Sequence, residues 1–178
     1  MHLILGLLIA ARAKMMDSDG SNYREITSGD TVDSSPAWIP GAPKRMVFQS
    51  AGLARNEQGY ILAQGNPSIQ KLDMESGSVT PILDDPAFDF LKPSVAPTGD
   101  LLFIRPRSVQ GVPSLVPDSW ELVRRDQNGA ERVLATNVAS YDISPDGTIV
   151  YTNGGGVFVL EADGTARLAL TVELVNAR

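Results

Sequence analysis

The chain has 178 residues, enough for one sizeable core, with 43% hydrophobic and 20% charged residues, an ordinary balance for a folded soluble chain rather than a disordered one. Its formal charge of −6 is spread without long runs, so there is no basic stripe to follow a phosphate backbone, and nucleic acid is not expected as a partner. With no cysteine and a single histidine, His2, disulfides, thiolate metal sites, cysteine nucleophiles and Ser-His-Asp triads are set aside.

In chain order, the first segment is Leu3 to Ala11, nearly all apolar. It is too short for a membrane-spanning helix, which needs about 20 residues. Two readings stay open for residues 1–13. One is the apolar region of a secretory signal, with Ala11-Arg12-Ala13 as a small-x-small cleavage site although no lysine or arginine precedes it; the other is a buried strand. Asp17-Ser18-Asp19-Gly20-Ser21-Asn22 follows. Its clustered oxygens suggest calcium, but position 28 is Ser where an EF-hand loop has its bidentate glutamate, so a hairpin turn is the better account.

Beyond this point a unit recurs. A turn containing proline leads into a short apolar run three times: Ile39-Pro40-Gly41 into Met46-Val47-Phe48, Ala96-Pro97-Thr98-Gly99-Asp100 into Leu101 to Ile104, and Ser144-Pro145-Asp146-Gly147 into Ile149-Val150-Tyr151. Downstream in each copy, a strand with alternating apolar residues enters a glycine turn and a further strand: Ile69 to Gly77 then Val79 to Leu83, Trp120 to Gly129 then Arg132 to Ala135, and Val157 to Gly164 then Ala166 to Leu170. The turns Asp19-Gly20, Ser76-Gly77, Asn128-Gly129 and Asp163-Gly164 supply the positive φ that tight or bulged hairpins need. Pro40 to Pro97 is 57 residues and Pro97 to Pro145 is 48, a period suited to a four-stranded antiparallel blade. The chain divides as a partial blade over about 1–30, blades at about 33–85 and 88–136, and a shorter one at about 138–171, within a single domain or fragment 1–178.

Four segments resemble the TolB-like or WD40-like propeller repeat. They are Asp17 to Thr27, with its Asp-Gly-Ser-Asn core; Asp33-Ser34-Ser35-Pro36-Ala37-Trp38-Ile39-Pro40-Gly41 followed by Lys44 to Gly52; Tyr141 to Thr152, with Ser-Pro-Asp-Gly at its centre; and, as a looser copy, Lys92 to Ile104. The resemblance implies an all-β fold, a partial β-propeller of about three and a half four-stranded antiparallel blades, in a periplasmic or otherwise exported protein that binds protein partners. The Trp38-Ile39-Pro40-Gly41 turn lacks the Asp-Gly of the family, and the blades are fewer than the six such propellers close with. That leaves a fragment of a longer protein, one half of a symmetric homo-oligomer, or a degenerate open form; the fragment is preferred.

In a four-stranded blade the second-to-third-strand loops and the blade-to-blade loops lie at one end and the hairpin turns at the other. Two insertions fall at the first end. The stretch of about 51–67 carries Arg55, Asn56, Glu57 and Tyr60; that of about 105–118 carries Arg105, Arg107, Gln110 and three prolines. These are the candidate partner-binding loops, because recognition concentrates in loops carried on a rigid scaffold. No cofactor and no catalytic residue is assigned. Gly154 to Gly156 have no Lys-Ser/Thr behind them and read as a tight strand connection. Asp84-Asp85, Asp30 and Asp33 read as loop caps. Trp38, Trp120, Phe48, Phe103, Tyr151 and Phe158 read mainly as packing between blades. The competing function is the propeller portion of a prolyl-oligopeptidase-like hydrolase whose catalytic domain lies elsewhere, since no G-x-S-x-G elbow occurs here; a small-ligand-binding propeller is the third.

Overall fold

The computed structural model describes residues 11–107, 119–161 and 164–171. Every named element among them is a β-strand. A short hairpin of β1 (Lys14–Met15) and β2 (Arg24–Glu25) comes first. The first large sheet has the order β3 (Thr31–Ile39), β4 (Ala42–Arg55), β6 (Ser68–Asp73), β7 (Ser78–Leu83), with β5 (Ile61–Gln64) added to the far end of β4. The second runs β8 (Leu91–Val95), β9 (Leu101–Arg105), β10 (Glu121–Arg125), β11 (Glu131–Thr136). The third runs β12 (Ser140–Ile143), β13 (Ile149–Asn153), β14 (Gly156–Leu160), β15 (Ala166–Thr171). All pairings are antiparallel, giving successive blades of an open propeller in which the inner strands β3 and β8 are neighbours.

One turn geometry closes most of these hairpins. In the segments beginning at Asp17, Asn56, Ala96, Asp126, Ser144 and Glu161, the first residue's N–H donates to the carbonyl four residues on, and the glycine at the fourth position donates back to the first carbonyl, at 2.8–3.0 Å. The glycines (20, 59, 99, 129, 147, 164) all sit at φ between 84° and 90°, the left-handed region where a Cβ is strained. The 17–22 segment is thus a hairpin turn, its Asn22 amide donating to Asp17 Oδ2 at 2.6 Å. Gly154 to Gly156 make the tight β13–β14 connection, where Gly156 lies at φ 145°.

The registers these turns fix sort side chains onto two buried faces. Phe48 on β4, Phe103 on β9 and Tyr151 on β13 each face the preceding element: Phe48 packs with Ile26 of the N-terminal hairpin, Phe103 with the first blade, and Tyr151 with the second. The alternate residues face forward, Val47 and Ile69 into the first seam, Leu102, Ile104 and Leu122 into the second. Each such fully buried aliphatic contributes about 1.5–3 kcal/mol by leaving water. Phe90 meets Phe103 edge-on at 5.7 Å, and Tyr151 stacks on Phe158 at 5.2 Å. Trp38 departs from the expectation of inter-blade packing: it is 50% exposed, near the β3–β4 turn. On the third sheet the forward-facing Val150, Val157 and Val159 are only half-buried and pack into neither seam.

The inner strands β3 and β8 are bulged at equivalent places, Ser35-Pro36 and Lys92-Pro93, and in each the residue before proline sits at positive φ, 50° and 49°. A non-glycine residue in this region is uncommon and costs about 1–3 kcal/mol. The bulge at Lys92 is held by its neighbours: its N–H donates to Gln49 Oε1 at 3.2 Å, and the Tyr141 hydroxyl lies 2.6 Å from its carbonyl and 2.8 Å from that of Leu102. Burial pushes the Tyr141 phenol well above its ordinary range, keeping the hydroxyl a donor.

A Cβ at Gly147 meets nothing within 4 Å, whereas one at Gly156 falls 2.1 Å from the Leu170 carbonyl oxygen. Gly147→Val should therefore lose about 1–3 kcal/mol, the cost of the φ alone. Gly156→Ala should exceed about 4 kcal/mol, among the severest single substitutions. Urea denaturation checks both; equal losses would show that backbone φ, not the close approach, governs Gly156.

Candidate functional site

Turns at Pro40-Gly41, Gly99, Gly129 and Gly147 close one end of the blades. The opposite end gathers the stretch of about 51–67, the described start of the second stretch at Arg105 to Arg107, and the blade-to-blade connections. The first of these stretches is not a loop. β4 runs for 14 residues, continues past the body of the blade, and pairs with β5 through Leu53↔Gln64, Ala54↔Ala63 and Arg55↔Ile61. The result is a projecting hairpin whose tip, Asn56 to Tyr60, uses the same glycine turn as the blades.

Arg55 and Asn56 are spent on holding that tip. Arg55 Nε lies 2.7 Å from both carboxylate oxygens of Asp30, and its Nη1 donates to the Gly59 carbonyl at 2.7 Å. The side-chain oxygen of Asn56 accepts from Gln58 N at 3.1 Å and Tyr60 N at 2.9 Å, an Asx-type cap. Tyr60, at the end of the tip, is 71% exposed, and Leu62, two residues on in β5, is 68% exposed. Glu57 is exposed on the turn.

At the second stretch Arg105 is 17% exposed and is the hub of an ion network: Nη2 donates to Glu121 at 2.8 Å and Nη1 to Glu131 at 2.6 Å, while Arg125 reaches the same Glu131 at 3.2 Å. Its guanidinium carbon lies 5.0 Å from the Phe88 ring centroid, and that of Arg107 lies 5.6 Å from the same ring. Such placement over an aromatic face is an attractive cation–π geometry. Phe88 and Arg107 also share an isolated β-bridge. Gln110 lies outside the described residues. Among the described residues no hydrogen bond or ion pair joins the 55–60 group to Arg105 and Arg107, so the structure presents two local groups at one end.

Leu62, Phe88, Glu121 and Glu131 escaped the sequence reading. The alternation of Tyr60 and Leu62 behind an Asn-x-x-Gly turn was the signal for the first; the others are cross-strand or cross-connection partners that only the register reveals. The acidic residues read as loop caps divide in role. Asp85 caps Ala87 N at 2.8 Å, Asp30 holds Arg55, and Asp33 accepts from Ser50 Oγ at 2.7 Å across β3 and β4.

Two clefts between blades lie at the other end. One of about 490 Å³ between the first two blades is lined by Ile39, Lys71, Arg125 and Gln127 among others, and one of about 340 Å³ between the second and third by Arg124, Arg132, Asp146 and Glu161. Neither has an aromatic side chain in its lining.

If Arg105 chiefly secures β9 to β10 and β11, Arg105→Met should lower stability by about 1–3 kcal/mol, and Arg105→Lys should recover little because an ammonium cannot span both glutamates as the guanidinium fork does. Chemical denaturation of both variants measures this; full recovery by lysine would show that charge alone matters.

No protein-family model matches this sequence, and no curated protein matches it. Solved structures do share its fold. A puromycin hydrolase superposes with a TM-score of 0.59 at 16% identity over 84% of this chain and 25% of its own. An oligogalacturonate lyase in complex with manganese gives 0.51 at 17% identity over 83% of this chain and 39% of its own. The GH74 xyloglucanase from Xanthomonas campestris gives 0.52 at 14% identity over 79% and 22%. The chain thus spans a quarter of the hydrolase and about two fifths of the lyase. At these identities the likeness concerns fold alone: the chain is an open, partial β-propeller.

Proposed function

We propose that this chain is a non-catalytic, protein-binding module of the TolB-like propeller type that meets its partner at the loop end, foremost through the β4–β5 hairpin. The observation that carries this is the pairing of exposure with rigidity: Tyr60 and Leu62 stand 71% and 68% exposed on a hairpin fixed by a strand ladder, the Arg55–Asp30 pair and the Asn56 cap. Large side chains presented on a pre-ordered backbone lose little conformational freedom on binding, and tyrosine is enriched among residues that dominate interfaces. Cysteine is absent and the lone histidine is His2, which supports the non-catalytic reading. An exported location follows from the repeat resemblance alone and is part of the same proposal.

A second reading is favoured by a specific observation: the superposition on a puromycin hydrolase, of whose length this chain spans 25%. On that reading the chain is the propeller portion of a prolyl-oligopeptidase-like hydrolase. A coding sequence that continues into a G-x-S-x-G elbow would support it over the first.

A photo-crosslinking residue placed at position 60 should yield one discrete protein adduct in the native host, and the same residue at the exposed Val79 on the outer strand should not. Tyr60→Ala with Leu62→Ser should abolish the adduct made from a neighbouring position while stability stays within about 0.5 kcal/mol, as for surface changes generally. Adducts of equal yield from both positions would sink the hairpin as the contact. For the half-propeller homo-oligomer, light scattering is decisive: association through the half-buried Val150, Val157 and Val159 face gives twice the monomer mass, and a stable monomer removes it.

A further inference from the structure

Asp89 is the only ionisable side chain among the described residues with 0% exposure, and neither of its carboxylate oxygens has a hydrogen-bond partner. It sits where the chain leaves β7 for β8, between Phe88 and Phe90. Here the backbone stitches the first two blades together: Asp89 N–H donates to the Pro106 carbonyl at 3.0 Å, and Phe90 N–H donates to the Pro67 carbonyl at 2.8 Å. Phe90 itself belongs to the apolar cluster shared by those blades.

The polar and charged groups around this seam are committed elsewhere. From the second blade, Arg105 is held by Glu121 and Glu131, and it lies with Arg107 over Phe88. From β8, Lys92 Nζ donates to the Ala139 carbonyl at 3.2 Å. On the connection, Asp85 caps Ala87 N, and from the first blade Asn66 donates to the Pro86 carbonyl at 2.9 Å. None of these reaches the oxygens of Asp89. Burial alone pushes its carboxyl upward from the ordinary carboxylate range.

We propose that Asp89 is a proton-operated latch on the seam between the first two blades. The seam closes around the neutral carboxyl; loss of the proton to water leaves a charge with neither solvent nor donor, and it is relieved when Phe88 to Phe90 part from Pro67 and Pro106. The sign follows from linkage: the closed state holds this proton more tightly than the open one. Closure is therefore strongest below the ordinary carboxylate range, and it weakens as pH rises through the window between that range and the raised value. The β4–β5 hairpin joins the seam through Pro67, and Arg105 and Arg107 flank Pro106 in it, so the latch sets the spacing of the two loop-end groups. It stands whatever those groups bind.

Carbon-13 NMR of the Asp89 carboxyl in the full chain, from about pH 3 to about pH 8, should show titration above the ordinary carboxylate range. Hydrogen exchange of the Phe90 amide, taken as a ratio to Asp89→Asn, should rise by up to tenfold per pH unit across the same window. A carboxyl that titrates in the ordinary range, or an exchange ratio independent of pH, overturns the latch. Should Asp89→Asn fail to fold, the titration of the unaltered protein decides alone.

Discussion

The architecture depends on one small device, a five-residue turn in which the first N–H bonds the fifth carbonyl and a glycine at the fourth position bonds back, present six times among the described residues with φ held between 84° and 90°. A strand has a side-chain period of two, so slipping a hairpin by one residue would turn every apolar group to the other face. By locking the register the turns keep Phe103 and Tyr151 facing backward, and Leu102 and Ile104 forward, from blade to blade. Packing between sheets rewards a register that local hydrogen bonds have already set.

A blade inside such a stack is buried on both faces, which is why β9 reads Leu-Leu-Phe-Ile without the alternation of a half-exposed strand. The third sheet keeps the backward half of this arrangement, with Ile149 and Tyr151 buried, and leaves its forward valines half-covered. The bulges at Ser35 and Lys92 show a different economy. Proline has no N–H to place in a ladder, so the preceding residue takes the bend, and at Lys92 the neighbouring blade braces it through Tyr141.

Much of this was legible in the sequence because turn chemistry is local. Asp-Gly, Asn-Gly and Pro-containing segments announce themselves, and the spacing between them gave the blades. The β4–β5 hairpin was hidden because Gly52, Gly59 and Gly65 make 51–67 look like an irregular insertion, although Asn56 and Gly59 stand in the turn's own spacing. Arg55, Asn56 and Arg105 belonged to the candidate loops, but what they touch is fixed by residues 25, 4 and 26 positions away, a matter of register rather than composition. Asp89 was illegible for the opposite reason. A carboxylate in a short connection reads as solvated, and only its complete burial in the fold shows otherwise.

The outer strands carry a consequence for colloidal behaviour. A strand at a sheet margin offers a row of free amides and carbonyls to any other chain. β7 answers with Pro81, which removes a donor midway, and β11 with Glu131 and Arg132 at its start. β15 has only Arg167 for such protection, and its Leu168 and Leu170 are each 47% exposed. Of these three outer strands, β15 is the least guarded against pairing with another chain.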